Sequence, residues 1–71
     1  MISYEPLWET MKKKNITTYA LIYKHNISAY TITNLKRNKS ITMYTVEKLC
    51  KILDCQPNDI VKIIPDETDD K

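Results

Sequence analysis

The side chains best suited to chemistry in this chain are concentrated between Ser28 and Thr42. Ser28, Ala29, Tyr30, Thr33 and Asn34 fall on the polar side of a segment whose other side carries Ile32 and Leu35 at helical spacing. A carboxamide such as Asn34 offers a donor and an acceptor side by side, which matches the edge of an adenine. Hydroxyls such as those of Ser28 and Thr33 donate or accept, and the methyls of Ala29 and Thr33 suit a thymine methyl. Tyr30 supplies a ring that stacks or a hydroxyl that reaches a phosphate. Lys36, Arg37, Asn38, Lys39 and Ser40 follow at once, and this mix of cations and short polar groups suits phosphate contacts that fix register. Taken alone, the polar side of such a helix reads as an ordinary wetted surface. The turn before it, the basic block after it and the helix starts around it weigh against that reading.

Other chemistries are excluded by residue counts. Glycine is absent, so phosphate-cradling glycine loops and dinucleotide fingerprints cannot form. His25 is the single histidine, and a multi-histidine metal site within one chain is ruled out. Cys50 and Cys55 are too few to staple a mini-protein and read as core thiols, and two thiolates do not complete a zinc site. No nucleophile–base pair stands out, so an enzyme is not expected, nor are a cofactor, a metal or a small-molecule ligand. The 71 residues (8.4 kDa) suffice for one domain with a small core. A composition 42% hydrophobic and 28% charged reads as folded. No apolar run approaches the ~20 residues of a membrane span, and Met1-Ile2-Ser3-Tyr4-Glu5 lacks the basic start and apolar stretch of a secretory signal. The expected compartment is the cytoplasm. Residues 1–65 carry a net charge of +5 and residues 66–71 a net charge of −3, a basic body that suggests an anionic partner.

The elements that position these side chains announce themselves through a repeated helix start. Ile16-Thr17 is followed by Leu21, Ile27-Ser28 by Ile32, and Ile41-Thr42 by Val46. In each, a hydroxyl can cap the first turn while the apolar pair closes a hydrophobic staple. Gln56-Pro57 before Ile60 is a weaker fourth start. Five short helices are expected, at about 4–14, 18–25, 29–37, 43–53 and 57–63. Asn15 is the expected left-handed cap of the first, and Met43, Val46, Leu49, Cys50 and Leu53 form the inward stripe of the fourth. Ile2-Ser3-Tyr4 and Val61-Lys62-Ile63-Ile64 also have strand propensity, and their pairing as a short ribbon is the alternative for the two ends. Lys12, Lys13 and Lys14 read as a solvated helix end, His25 as a half-buried packing group, Trp8 as core or interface, and Tyr23 and Tyr44 as surface aromatics. Lys24 to Ser28 forms a turn between two capped helices. Asn26 takes the left-handed position there, Ile27 points inward and Ser28 caps the next helix.

From Thr17-Thr18 through Leu21-Ile22, Asn26-Ile27-Ser28, Ile32, Leu35 and Asn38-Lys39-Ser40-Ile41-Thr42, to Leu49 through Ile60, the chain resembles the Cro/CI-type (Xre-type) helix-turn-helix regulators of bacteria and their phages. The resemblance spans residues 2 to about 64. Ile2-Ser3-Tyr4 with Leu7-Trp8 looks like a compact subgroup that is little more than the DNA-binding domain. The chain departs from the family pattern at Ile22 (usually a small alanine), at Asn26 and Asp54 (usually glycine) and at Thr18 (commonly a phosphate-gripping glutamine).

The resemblance implies an all-α, five-helix lambda-repressor-like DNA-binding domain over residues 1–65, followed by a disordered acidic tail at 66–71. It further implies a sequence-specific regulator of transcription that binds double-stranded DNA. The helix at 28–37 would read the major groove through Ser28, Ala29, Tyr30, Thr33 and Asn34. Thr18, Lys36, Arg37, Asn38, Lys39, Ser40 and Thr42 would hold phosphates. The expected form is a homodimer on a pseudo-palindromic operator, because one domain this small makes few base contacts. Its dimer surface would come from the fifth helix, the end segments or the exposed side of the fourth helix. The competing reading is a protein-interaction module, antitoxin-like or regulator-binding, that uses the same fold without reading DNA.

Overall fold

Hydrogen bonds within a few residues of each helix start set the architecture. In the computed structural model, which describes residues 1–65, Thr17 Oγ1 accepts from the Ala20 amide at 3.1 Å. Ser28 Oγ accepts from the Thr31 amide at 3.0 Å and Thr42 Oγ1 from the Thr45 amide at 3.2 Å. Such caps are worth ~1 kcal/mol each. They open α2 (Thr18–His25), α3 (Ala29–Lys36) and α4 (Met43–Leu53). Leu21, Ile32 and Val46, the inner halves of the three staples, are all buried. The first helix, α1 (Glu5–Lys14), starts differently, with Ser3 Oγ accepting from the Glu5 amide at 3.3 Å and Pro6 in the first turn.

The helix ends show what replaces glycine. Asn15, Asn26, Asn38 and Asp54 take left-handed backbone angles, with φ of 60°, 60°, 58° and 52°. Three of these ends close alike. The amides of Ile16, Lys39 and Cys55 donate to the carbonyls of Met11, Asn34 and Cys50, five residues back, at 2.9, 2.9 and 3.0 Å. At the end of α2 the loop is one residue wider, and the Asn26 and Ile27 amides both donate to Leu21 O.

The described residues form four α-helices, not the five expected. Pro57–Asp59 makes a single 3-10 turn, braced by the Asp59 carboxylate accepting from the Gln56 amide. Thr10 of α1 donates to the Asp59 carbonyl at 2.8 Å, taking an acceptor that a longer helix would use. The β-branched run after it turns to pairing. Strand β1 (Ile2–Ser3) and strand β2 (Lys62–Ile63) form an antiparallel ribbon in the register Ile2↔Ile63 and Ser3↔Lys62. Lys62 also pairs with Glu5 at 2.9 Å. The segment 66–71, expected as a disordered tail, lies outside the described residues.

The core gathers Tyr4, Leu7 and Met11 from the N-terminal side, Leu21, Ile27, Ile32 and Leu35 from the central unit, and Leu49, Leu53 and Ile60 from the last third. Each of these side chains contributes ~1.5–3 kcal/mol on burial. Met43 does not join them: it is 73% exposed. At 3.6 residues per turn it lies about 90° round α4 from the buried Val46–Leu49–Leu53 arc. Cys50 and Cys55 are half-buried against the core. Burial pushes the Cys55 thiol from its ordinary 9.0 to about 11, helped by the Cys50 thiol and the Asp59 carboxylate and opposed by Lys14.

Two outcomes follow from these ends and this thiol. Replacing Asn15, Asn26 or Asp54 by Gly relieves the left-handed strain and stabilises the fold by roughly 0.5–1 kcal/mol each in urea unfolding. Asn38→Gly gives no such gain, because the Asn38 side chain accepts from the Tyr4 amide. A thiol with a raised folded pKa contributes stability that is complete below pH 9.0 and declines as pH rises to about 11. The stability gap between the wild type and Cys55→Ala therefore narrows across that window, and a gap independent of pH would contradict the assignment.

Candidate nucleic-acid interface

The α2–turn–α3 unit is built so that one face of α3 is fixed and the other is free. Ile27, directly after the left-handed Asn26, is buried, as are Ile32 and Leu35 on the inner side of α3. Lys48 of α4 reaches the Asn26 carbonyl with its Nζ at 3.4 Å and holds the turn from behind. With the inner side anchored, Ala29, Tyr30 and Thr33 face outward, and Tyr30 is 76% exposed. Asn34 is half-buried, and its carboxamide is uncommitted among the described residues.

The hydroxyls differ in what they have left to offer. Thr33 Oγ1 donates to the Ala29 carbonyl at 3.1 Å, so it presents a methyl and an acceptor. Ser28 Oγ accepts the Thr31 amide and shares a proton with Thr31 Oγ1 at 2.9 Å. Ser28, expected both as the cap of α3 and among the base readers, makes that cap. Thr42 is occupied in the same way by Thr45, with 3.0 Å between the two hydroxyl oxygens.

A shallow open groove runs between α3 and the start of α4. Tyr30, Asn34, Ser40 and Thr42 line it together, with Thr31 and Thr45. Residues assigned separately to base and phosphate contacts on sequence therefore converge on one surface. Lys36, Arg37 and Lys39 are exposed beside it and form no ion pair among the described residues. Thr18 is half-buried on α2, away from the groove; what it adds is its place at the start of the helix, where main-chain amides carry positive partial charge.

The loop from Arg37 to Thr42 is held by the opposite end of the chain. Tyr4 is 2% exposed; its hydroxyl donates to the Lys39 carbonyl at 2.6 Å, and its amide donates to Asn38 Oδ1 at 3.2 Å. Burial raises the Tyr4 phenol above its ordinary pKa, against a backbone hydrogen bond at Ile41 that lowers it. Asn38, expected at a phosphate, therefore has its carbonyl oxygen turned inward to brace the loop. Sequence reasoning missed Tyr4, Lys48, Thr31 and Thr45. Tyr4 and Lys48 carry no local signal, whereas Thr31 and Thr45 each lie three residues after a cap and were open to reading as its partner.

One further sequence signal becomes meaningful with the fold in view. No acidic residue occurs between Glu9 and Glu47, while seven Lys and Arg do. The whole α2–α3 unit and both loops beside it lie in that stretch, so its potential is positive without internal compensation.

The Cro/C1-type HTH DNA-binding domain matches this chain over residues 6–66. No curated protein matches. Among solved structures, the fold is similar to the crystal structure of the transcriptional regulator VanUg, with a TM-score of 0.83 and 23% sequence identity over 92% of this chain and 87% of that one. The match over most of the length, on a buried Ile27–Ile32–Leu35 anchor and an outward polar α3, means that the chain belongs to the Cro/C1-type HTH DNA-binding domain family.

Proposed function

We propose that the chain is a sequence-specific regulator of transcription that inserts α3 into the major groove of double-stranded DNA. The observation that carries this reading is the convergence of Tyr30, Asn34, Ser40 and Thr42 on one open groove within an acid-free basic stretch. Asn34, with a free carboxamide, is the principal base reader and favours adenine; Ala29 and the Thr33 methyl favour thymine; Tyr30 packs against sugar and phosphate. Ser28 sets the angle of this face. Lys36, Arg37, Lys39 and Ser40 hold phosphates, together with the first-turn amides of α2 at Thr18 and of α4 just after Thr42. Asn38 supports them through Tyr4.

A single α3 offers too few base contacts for useful specificity, so two copies on a pseudo-palindrome complete the reading, with half-sites about 34 Å apart.

Anisotropy titrations on selected and random duplexes over a salt series test this. Asn34→Ala weakens the selected duplex by about 10- to 100-fold and leaves the random one nearly unchanged. Arg37→Ala weakens both alike and lowers the salt slope by about one. If a folded chain binds no duplex at low salt, the reading fails and the protein-interaction module takes its place. Tyr4→Phe removes the hydrogen bond to Lys39, costs about 1 kcal/mol of stability and speeds amide exchange at Asn38 to Ile41, with affinity falling on both duplexes.

A further inference from the structure

The outer face of α4 is exposed and has no role in the interface above. One stripe along it carries Met43, Glu47, Cys50, Lys51 and Asp54, which recur at spacings of three, four and seven. The groove of Tyr30 and Asn34 meets α4 on the side of Thr42 and Thr45, whereas Met43 faces the ribbon across Ile2, Val61 and Ile63. The two faces adjoin at Ser40 and Ile41 and diverge along α4, where Thr45 lies about half a turn round from Glu47.

Three features of the stripe match one another. Met43 and Tyr44 protrude at its N-terminal end, 73% and 83% exposed. An open groove, lined by Met43, Glu47 and Lys51 as well as by Cys50, Cys55 and Pro57, runs from there to its C-terminal end. Along this groove, Glu47 and Lys51 lie one turn apart, 3.8 Å from each other and both exposed. A two-fold axis makes the same patch meet itself, so each protrusion needs a recess and each charge its opposite within one patch. This patch has all of these. A partner with a surface of one charge sign would satisfy only one member of the Glu47–Lys51 pair.

We infer that α4 packs antiparallel on α4 of a second copy, with the two-fold axis passing between Glu47 and Lys51. In this register Glu47 faces the partner's Lys51 and Lys51 faces the partner's Glu47. Met43 lies against the partner's Cys55, where its thioether fills the end of the groove. The inference rests on the dimeric reading proposed above and gives it a surface. An eleven-residue helix is about 16 Å long, so the area buried is at the low end for specific interfaces. The free dimer is therefore weak, and DNA carrying two half-sites strengthens it.

Sedimentation equilibrium on Glu47→Lys, on Lys51→Glu and on their equimolar mixture tests the register. Each single variant sets like charges across both halves of the two-fold, and its dimer weakens by about tenfold or more. The mixture restores opposite charges at both sites and recovers a heterodimer within about threefold of the wild-type affinity. Met43→Lys, a change at an exposed position, gives a folded monomer. A wild type that stays monomeric at its highest soluble concentration overturns the inference, as do single variants that dimerise like the wild type or a mixture that recovers nothing. Duplex titration alongside separates the two readings. A monomer that still binds a selected duplex removes the interface and leaves DNA readout standing, whereas a dimer with the charge pattern above that binds no duplex does the reverse.

Discussion

A backbone that reverses sharply after a helix needs a left-handed residue, and this chain has no glycine to supply one. The burden falls on Asn15, Asn26, Asn38 and Asp54, whose short polar side chains tolerate that conformation better than other non-glycine residues do. Everything downstream depends on these four positions. Asn26 sets the angle between α2 and α3, and Asp54 brings the chain back under α4 toward the last turn. Asn38 uses its side chain as well as its backbone, and so joins the loop after α3 to Tyr4. A glycine at Asn38 would reverse the chain and hold nothing; the asparagine does both.

The outward face of α3 is therefore supported from three directions. Ile27, Ile32 and Leu35 fix the depth of α3 in the core, Lys48 braces the turn before it, and Tyr4 braces the loop after it. Side chains that point outward from so constrained a helix are pre-ordered and lose little freedom when they meet a partner. The charge around them serves a different purpose. An acid-free stretch from residue 10 to residue 46 attracts a polyanion without regard to sequence.

What could be read from the sequence was what depends on near neighbours. The caps at Thr17, Ser28 and Thr42 and their staples span four or five residues, and the three helices they open fall where they were expected. The left-handed roles of Asn15 and Asn26 were legible because each follows the last apolar turn of a helix. The end of the chain was not, since Pro57 to Ile64 carries both a helix start and a strand-forming run. The choice between them was made by Ile2 and Ser3, some sixty residues away. Met43 was misplaced because a residue at the edge of an apolar arc has the spacing of a core residue and the exposure of a surface one. Within the interface, residue types gave the outward face of α3 and the cap at Ser28. They could not show that the Asn38 side chain is engaged by the Tyr4 amide, because that partner lies 34 residues away.

The two-residue ribbon has a consequence for the order in which the molecule assembles. Its strands join segments separated by about sixty residues, and closing a loop of that length costs roughly 3–4 kcal/mol of chain entropy before any pairing is gained. The capped helices and the α2–α3 turn involve only local closures and form without it. Tyr4 directly follows β1, so its bonds to Asn38 and Lys39 form once that long closure is made. Without the ribbon in place, the loop after α3 would lack both of the bonds that Tyr4 gives it. The order of that loop therefore depends on a chain closure far longer than any that α3 itself needs.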